Sequence, residues 1–226
     1  MASDDERPIV RRRRDLILAG LGSGALGIAA PIGAALTPRQ PRGPFYPREL
    51  PLDQDNDLTR VVGEARTAAG EIVDVEGRVV DESGRALSGV TLEIWQANAY
   101  GRYHHRWDRS DQPWDPGFQG YGRTTTDDAG NYRFRTIKPV PYPGRTPHIH
   151  VALSGSGIDG LTTQMYLAGH PQNRWDPLLA RVSSEALREQ LLVDFQAVEG
   201  RSVPIGRFDL VLAGDGRLSL LGAHDG

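Results

Sequence analysis

No cysteine occurs in the 226 residues, which removes disulfides, thiolate metal sites, cysteine nucleophiles and lipid attachment at sulfur. Any metal must therefore be held by His, Tyr, Asp or Glu. Lysine is almost absent: Lys138 is the one lysine among 26 basic residues, so Schiff-base chemistry has a single candidate while guanidinium contacts have many. No basic stripe is present, and 26 Lys+Arg against 29 Asp+Glu argue against a nucleic-acid partner. A hydrophobic fraction of 38% with 7% aromatic residues argues against a disordered chain. Neither an internal repeat nor an internal linker is visible. What is abundant is glycine (27) and proline (16), which calls for many tight turns and favours β-structure.

The first 36 residues read as an address rather than as part of the fold. Arg11 to Arg14 are followed by Asp15 and an uncharged run over 16–36, rich in Gly and Ala. Arg13-Arg14-Asp15-Leu16-Ile17 resembles a twin-arginine export signal, with a weakly hydrophobic segment and a small-residue exit near Ala34-Ala35. A retained membrane anchor is the alternative, but the glycines and Pro31 lower both helix propensity and apolar transfer energy. Export to the periplasm or beyond is expected, with no stable membrane insertion once the signal is removed. The domain proper is then 37–226.

From Glu71 the sequence alternates in short β-type runs. Ile72, Val73, Val75, Val79 and Val80 form one strand, closed by the turn Asp81-Glu82-Ser83-Gly84. In the next, Val90, Leu92 and Ile94 share one face while Trp95 lies on the other, and Trp95 is expected in the core. After the turn at 127–130, Tyr132 and Phe134 alternate with Arg133 and Arg135; Ile149, Val151 and Leu153 alternate with His148, His150 and Ala152; Phe208, Leu210 and Leu212 close the series. One helix is expected over 185–195, capped by Ser183 or Ser184, with Leu187, Leu191, Leu192 and Phe195 on one stripe. The spacing predicts an all-β, antiparallel β-sandwich with one short C-terminal helix. Residues 37–51, with Pro38, Pro41, Pro44, Pro47 and Pro51, read as an extended N-terminal arm laid over it.

The chemistry-bearing pattern is His148-Ile149-His150 in a strand. Period two points both imidazoles the same way, a chelate arrangement. Imidazole suits Zn, Cu, Fe and Ni, so the pair alone does not choose a metal, and two satisfied histidines on a strand are the plain alternative. Just upstream, residues 139–147 contain four prolines that stiffen the loop bearing Tyr142 and Arg145. A deprotonated tyrosine oxygen is a hard anionic donor, so a tyrosine joining the pair points from Zn toward Fe(III), whereas Tyr142 taken by itself reads as packing.

Five motifs occurring in order resemble the intradiol ring-cleavage dioxygenases: Gly43-Pro44-Phe45-Tyr46-Pro47, Gly77-Arg78-Val79-Val80-Asp81, Glu93-Ile94-Trp95-Gln96-Ala97-Asn98 with Gly101-Arg102-Tyr103, Arg135-Thr136-Ile137-Lys138-Pro139 to Tyr142, and His148-Ile149-His150. The likeness spans 37–214 and is closest to the protocatechuate 3,4-dioxygenase chains. It implies one non-haem Fe(III) per chain on Tyr103, Tyr142, His148 and His150, with Tyr103 and His148 equatorial and Tyr142 and His150 axial. It further implies a catechol-type substrate, cleaved with O2 between its two hydroxylated carbons to a cis,cis-muconate-type diacid. Tyr142 is displaced by substrate in this picture, Arg145 stabilises anionic charge on the ring, and Gln164 orients the complex. The sequence departs from the pattern between Tyr142 and His148, where five residues stand in place of a longer, Trp-bearing loop, so a reshaped substrate pocket is expected. The long helical N-terminal dimerisation segment of the catechol 1,2-dioxygenases is not seen in this sequence. Homo-oligomer, hetero-oligomer and monomer all stay open.

His104 and His105 follow Tyr103 directly; adjacent residues point to opposite sides, so both read as polar surface groups or a proton path. Trp107, Trp114 and Tyr121 fall in the loop after Tyr103, where they anchor the loop or stack on an aromatic ligand. His170 and Asp176 have no evident partner. Two rival readings remain: a non-catalytic, transthyretin-like β-sandwich binding module, and a Zn or Cu enzyme using the H-x-H pair with both tyrosines as packing groups. On the export reading, N-terminal sequencing of protein from its native host finds a start near Ala34-Ala35; a start at Met1 contradicts it.

Overall fold

The computed structural model describes residues 34–51, 53–155 and 157–214. The export motif lies outside the described residues, and no helix among them is long and apolar enough to cross a membrane. Two five-stranded sheets face each other. In the first, β1 (Ile72–Asp81) pairs antiparallel with β4 (Asn131–Ile137) and parallel with β9 (Ile205–Arg207) and β10 (Leu210–Leu212), while β8 (Phe195–Gln196) borders β9. The second has the order β3 (Tyr121–Thr125), β2 (Thr91–Trp95), β5 (His148–Ser154), β6 (Leu161–Leu167), β7 (Leu192–Val193). Neighbours in it are antiparallel except β6 and β7, so both sheets of the all-β sandwich are mixed rather than purely antiparallel, the first around its central strand β1.

The core lies between the sheets, and β-branched and aromatic residues on alternate positions build it. Val73, Val75, Val79 and Phe134 come from one side, and Leu92, Ile94, Ile149, Val151, Leu153 and Met165 from the other. The expected turns form. Asp81 accepts from the backbone of Ser83 and Arg85 and is paired with the Arg85 guanidinium at 2.8 Å. Asp127 likewise accepts from the backbone of Ala129 and Asn131.

Three expectations need correction. The helix α1 covers Glu185–Glu189 alone, capped by the Ser184 hydroxyl accepting from the Leu187 amide, and does not reach residue 195. Leu192–Val193 becomes β7 because the edge of the second sheet captures it, the Tyr166 amide donating to the Leu191 carbonyl at 2.7 Å and the Ala168 amide to that of Val193 at 2.8 Å, while Phe195–Gln196 becomes β8 by pairing with β9 in the first sheet. Tertiary pairing here overrides a helical stripe. Tyr121 opens β3 and is 1% exposed, rather than lying in a loop. Trp95 is buried, but in a second cluster with Tyr103, Tyr121, Ala97 and Ala152, outside the sandwich core.

The arm is laid as expected. The Thr37 amide donates to the Val211 carbonyl, the Gln40 amide to the Thr162 carbonyl, and the Thr163 hydroxyl to the Pro38 carbonyl. Further along, the Tyr46 hydroxyl donates to Glu93 at 3.0 Å, bringing the arm across the outer face of the second sheet.

Donors crowded round Asp81 hold its carboxyl at about 2, below the usual carboxylate range and against the cost of burial. A lowered folded-state value stabilises above the unfolded value and is lost as pH falls through the folded one. Asp81→Ala therefore lowers unfolding free energy by about 1 kcal/mol at pH 7, allowing for screening. Denaturant titration should show that difference shrinking as pH falls from 4 toward 2, and a pH-independent difference contradicts the assignment.

Candidate metal centre

Sheet register assembles the site. Across β3, β2, β5 and β6 the partners Tyr121, Trp95, His150 and Gln164 stand in one row, with His148 opposite Tyr166 two residues along. All are on the face opposite Ile149 and Val151, which in an ordinary sandwich meets water. Here the arm and loops cover it: His148 is 3% and His150 2% exposed. Trp95 stacks on His150 with centroids 4.8 Å apart at 5°, and Gly43 lies against the ring's other atoms, since a Cβ there would stand 3.3 Å from His150 Cε1.

Tyr142 and Arg145 are the ends of one β-turn. Pro143 sets its second position, Gly144 takes φ +79 at its third, and the Arg145 amide donates to the Tyr142 carbonyl at 2.9 Å, the pattern of a type II turn. Both side chains therefore leave from one rigid point. Tyr103 comes from a second knot: the Asn98 side chain accepts from the Tyr100 and Arg102 amides and donates to the Pro113 carbonyl. Gly101 at φ +80 lets this loop touch the other, because a Cβ would be 2.9 Å from the Pro141 carbonyl oxygen. Asp108 accepts from the Tyr103 amide at 2.7 Å.

The four expected ligand residues are brought together. His148 and His150 present their Nε2 atoms to each other at 3.3 Å. Tyr103 and Tyr142 meet at 5.4 Å between rings, Tyr142 and His148 at 5.4 Å, and Tyr103 and His150 at 6.3 Å. Burial, with Arg145 nearby, pushes His148 down to about 4, and burial beside His148 pushes His150 well below the usual imidazole value, so both rings are neutral near pH 7. His148 Nδ1 lies 2.6 Å from the Thr146 carbonyl; the N–H belongs there, leaving a lone pair on Nε2. Burial and the neighbouring Tyr142 raise the Tyr103 phenol well above its ordinary value, and burial raises Tyr142 against the pull of Arg145.

These residues fit a cation. Two neutral imidazoles and two phenols converge in a dry site, and the Tyr103 hydroxyl makes no well-formed hydrogen bond among the described residues, with the Tyr142 phenol as its near neighbour. A metal charge reverses the pKa logic of such phenols and favours phenolate. No group of three or more His, Cys, Asp or Glu that could hold a metal occurs among the described residues, so the tyrosine oxygens are the anionic donors this cluster could add to the histidine pair. That counts against the Zn or Cu reading, in which the tyrosines are packing groups.

Arg145 and Gln164 also meet, Nη2 to Oε1 at 2.6 Å. Three neighbours are not expected at the site from the sequence, although Phe45 belongs to the arm motif Gly43-Pro44-Phe45-Tyr46-Pro47. Asp176 pairs with Arg145 Nε at 2.8 Å; the Tyr166 hydroxyl, 0% exposed, lies 3.2 Å from Gln164 Oε1 and donates to Gln40 at 2.8 Å; Phe45 stacks on Tyr103 at 4.6 Å. The outward placement of Trp95, by contrast, follows from its alternation with Ile94. His104 stacks on Trp114 at 3.9 Å and His105 packs on Phe45 and Trp107; neither contacts His148 or His150 among the described residues.

The model of the Dioxygenase family (Dioxygenase_C) matches residues 42–214. The beta chain of protocatechuate 3,4-dioxygenase from Burkholderia cepacia is 41% identical over 187 residues, covering 78% of this chain and 79% of the relative. Catechol 1,2-dioxygenase from Candida albicans is 32% identical over 71% of this chain, which spans about half (52%) of that relative. Among solved structures, the dioxygenase domain of a dioxygenase carbohydrate-binding protein fusion from Streptomyces sp. SirexAA-E superposes with TM-score 0.62 at 31% identity, covering 80% of this chain and 99% of that one. An all-β sandwich with a buried tyrosine and histidine cluster thus coincides with a dioxygenase match. The chain belongs to the intradiol ring-cleavage dioxygenases, and it is an enzyme; the non-catalytic binding module is set aside.

The unpartnered hydroxyl carries its own test. With metal removed by a chelator, Tyr103→Phe leaves unfolding free energy unchanged or raises it by about 1 kcal/mol, because a buried unsatisfied group is deleted. A fall of the same size in denaturant titration shows instead that the hydroxyl has a partner.

Proposed function

We propose that the chain holds one non-haem Fe(III) on Tyr103, Tyr142, His148 and His150 and cleaves a catechol-type ring between its hydroxylated carbons with O2, giving a cis,cis-muconate-type diacid. The observation that carries this reading is the buried pair of Nε2 atoms 3.3 Å apart, flanked by two tyrosines of which one has an orphaned hydroxyl. When bound, the iron would supply a Lewis acid that favours the deprotonated catechol and activates its ring toward O2.

This chain's residues do the rest. Tyr142 is the half-buried member of the four, at the corner of a turn, and is the ligand free to give way to substrate and take up a proton on its oxygen. Tyr103 is sealed by Phe45 and keeps its place. Arg145 is permanently cationic and stabilises negative charge that develops on the ring. Gln164 has its Oε1 occupied by Arg145 and its Nε2 directed at the Pro41 carbonyl at 3.4 Å, which fixes its amide, and its role is to orient the complex by hydrogen bonds. Lysine would be a poorer substitute at 145, since it lacks the planar fork whose Nε and Nη2 reach Asp176 and Gln164. The names of the relatives support a catechol or a carboxylated catechol as substrate, acting in a homo- or hetero-oligomer. Residues 1–36 support export by a twin-arginine-type route.

Tyr142→Phe is expected to keep its iron and lose turnover by about 100-fold or more, the scale of a lost acid–base group. His150→Ala is expected to lose the metal, read by elemental analysis. A fully active Tyr142→Phe protein sinks the assignment.

A further inference from the structure

Asp176 belongs to no motif of the sequence and lies 31 residues from Arg145 in the chain, yet its side chain is 0% exposed. Its oxygens are fully engaged. Oδ2 accepts from Arg145 Nε at 2.8 Å and from the Thr146 amide at 3.1 Å; Oδ1 accepts from the Leu178 and Leu179 amides at 3.0 Å each, with Arg145 Nη2 at 3.5 Å. The carboxylate is itself fixed by its place between two 3-10 helices, Pro171–Trp175 and Leu179–Arg181. It cannot turn without breaking both ends.

What it grips is the segment that bears the site. Arg145 sits on an otherwise exposed turn, where a long side chain has many rotamers to lose. With Nε committed to Asp176, the planar guanidinium can present Nη2 to Gln164 Oε1 at 2.6 Å in one orientation only. The next residue, Thr146, is held by the same carboxylate and by Asn173, to which its hydroxyl donates at 2.6 Å. The Thr146 carbonyl in turn receives His148 Nδ1–H. One buried carboxylate therefore sets both a cationic group and the backbone that orients an imidazole.

We propose that Asp176 is a positioning residue of this enzyme, holding the Arg145 guanidinium in its working orientation beside the histidine pair. The catalytic consequence rests on the role given to Arg145 above; the positioning itself does not. The geometry predicts that Arg145, 13% exposed in its side chain, is shielded from arginine-modifying reagents, whereas Arg39, 57% exposed, is open to them.

The test is phenylglyoxal labelling of the full chain, mapped by mass spectrometry, on the unaltered protein and on Asp176→Asn and Asp176→Glu. Labelling of Arg145 slower than that of Arg39 in the unaltered protein, and clearly faster in Asp176→Asn than in the unaltered protein, supports the proposal, with Asp176→Glu restoring part of the protection. Arg145 reacting as fast as Arg39 in the unaltered protein overturns it, whether or not a variant folds; unchanged labelling in a folded Asp176→Asn protein does the same. In the iron-loaded enzyme, Asp176→Asn should lower kcat about 10- to 100-fold, the range for residues that support a metal-site group, with KM and iron content little altered. Increased labelling with unchanged kcat would overturn the catalytic role of Arg145 and leave the positioning intact.

Discussion

The centre depends on keeping one polar face of a β-sheet dry. Strand periodicity that buries Ile149, Val151 and Leu153 in the core necessarily sends His148 and His150 to the other side, where a two-layer sandwich normally meets water. The chain solves this with a third, irregular layer. Prolines in the arm cannot join a ladder throughout, so the arm is fastened at points: Thr37 to Val211, Gln40 to Thr162, Tyr46 to Glu93. Between these fastenings Gly43 lies against His150 and Phe45 against Tyr103. Trp95 covers a face of the same imidazole.

Drying the face also sets its charge. Imidazoles are forced neutral and phenols are pushed up, so without metal the four donors carry no charge near pH 7. The one buried cation among them, Arg145, is offset by buried Asp176, whose carboxyl is held below its usual range by donors from Arg145 and the backbone against the cost of burial. The resulting cluster is neutral, oxygen- and nitrogen-rich and incompletely hydrogen-bonded, the condition in which an added cation gains most by drawing protons off the phenols.

Much of this was legible in the chain before any coordinates. Alternation around Leu92, Ile94, Ile149 and Val151 specified strands and the common face of the two histidines, and the prolines of 139–147 marked a stiff loop carrying Tyr142 and Arg145, which the structure shows to be a tight turn at Pro143-Gly144. The strands that sequence did not reveal are the polar or short ones: β6 reads Leu-Thr-Thr-Gln-Met-Tyr-Leu, and β7 to β9 have two or three residues each. Such strands form because a neighbour offers hydrogen bonds, which is a property of the assembled sheet. The same holds for Asp176 and Tyr166. A single buried acid or phenol acquires its role from partners distant in sequence, and no local spacing announces it.

The central claim is that the two tyrosines and two histidines act together on one ferric ion. A visible absorption spectrum of the purified protein, with iron quantified and catechol then added without oxygen, tests it most directly. The account predicts close to one iron per chain and a tyrosinate-to-iron charge-transfer band that shifts as catechol binds. Iron bound without that band would mean that Tyr103 and Tyr142 are not its ligands.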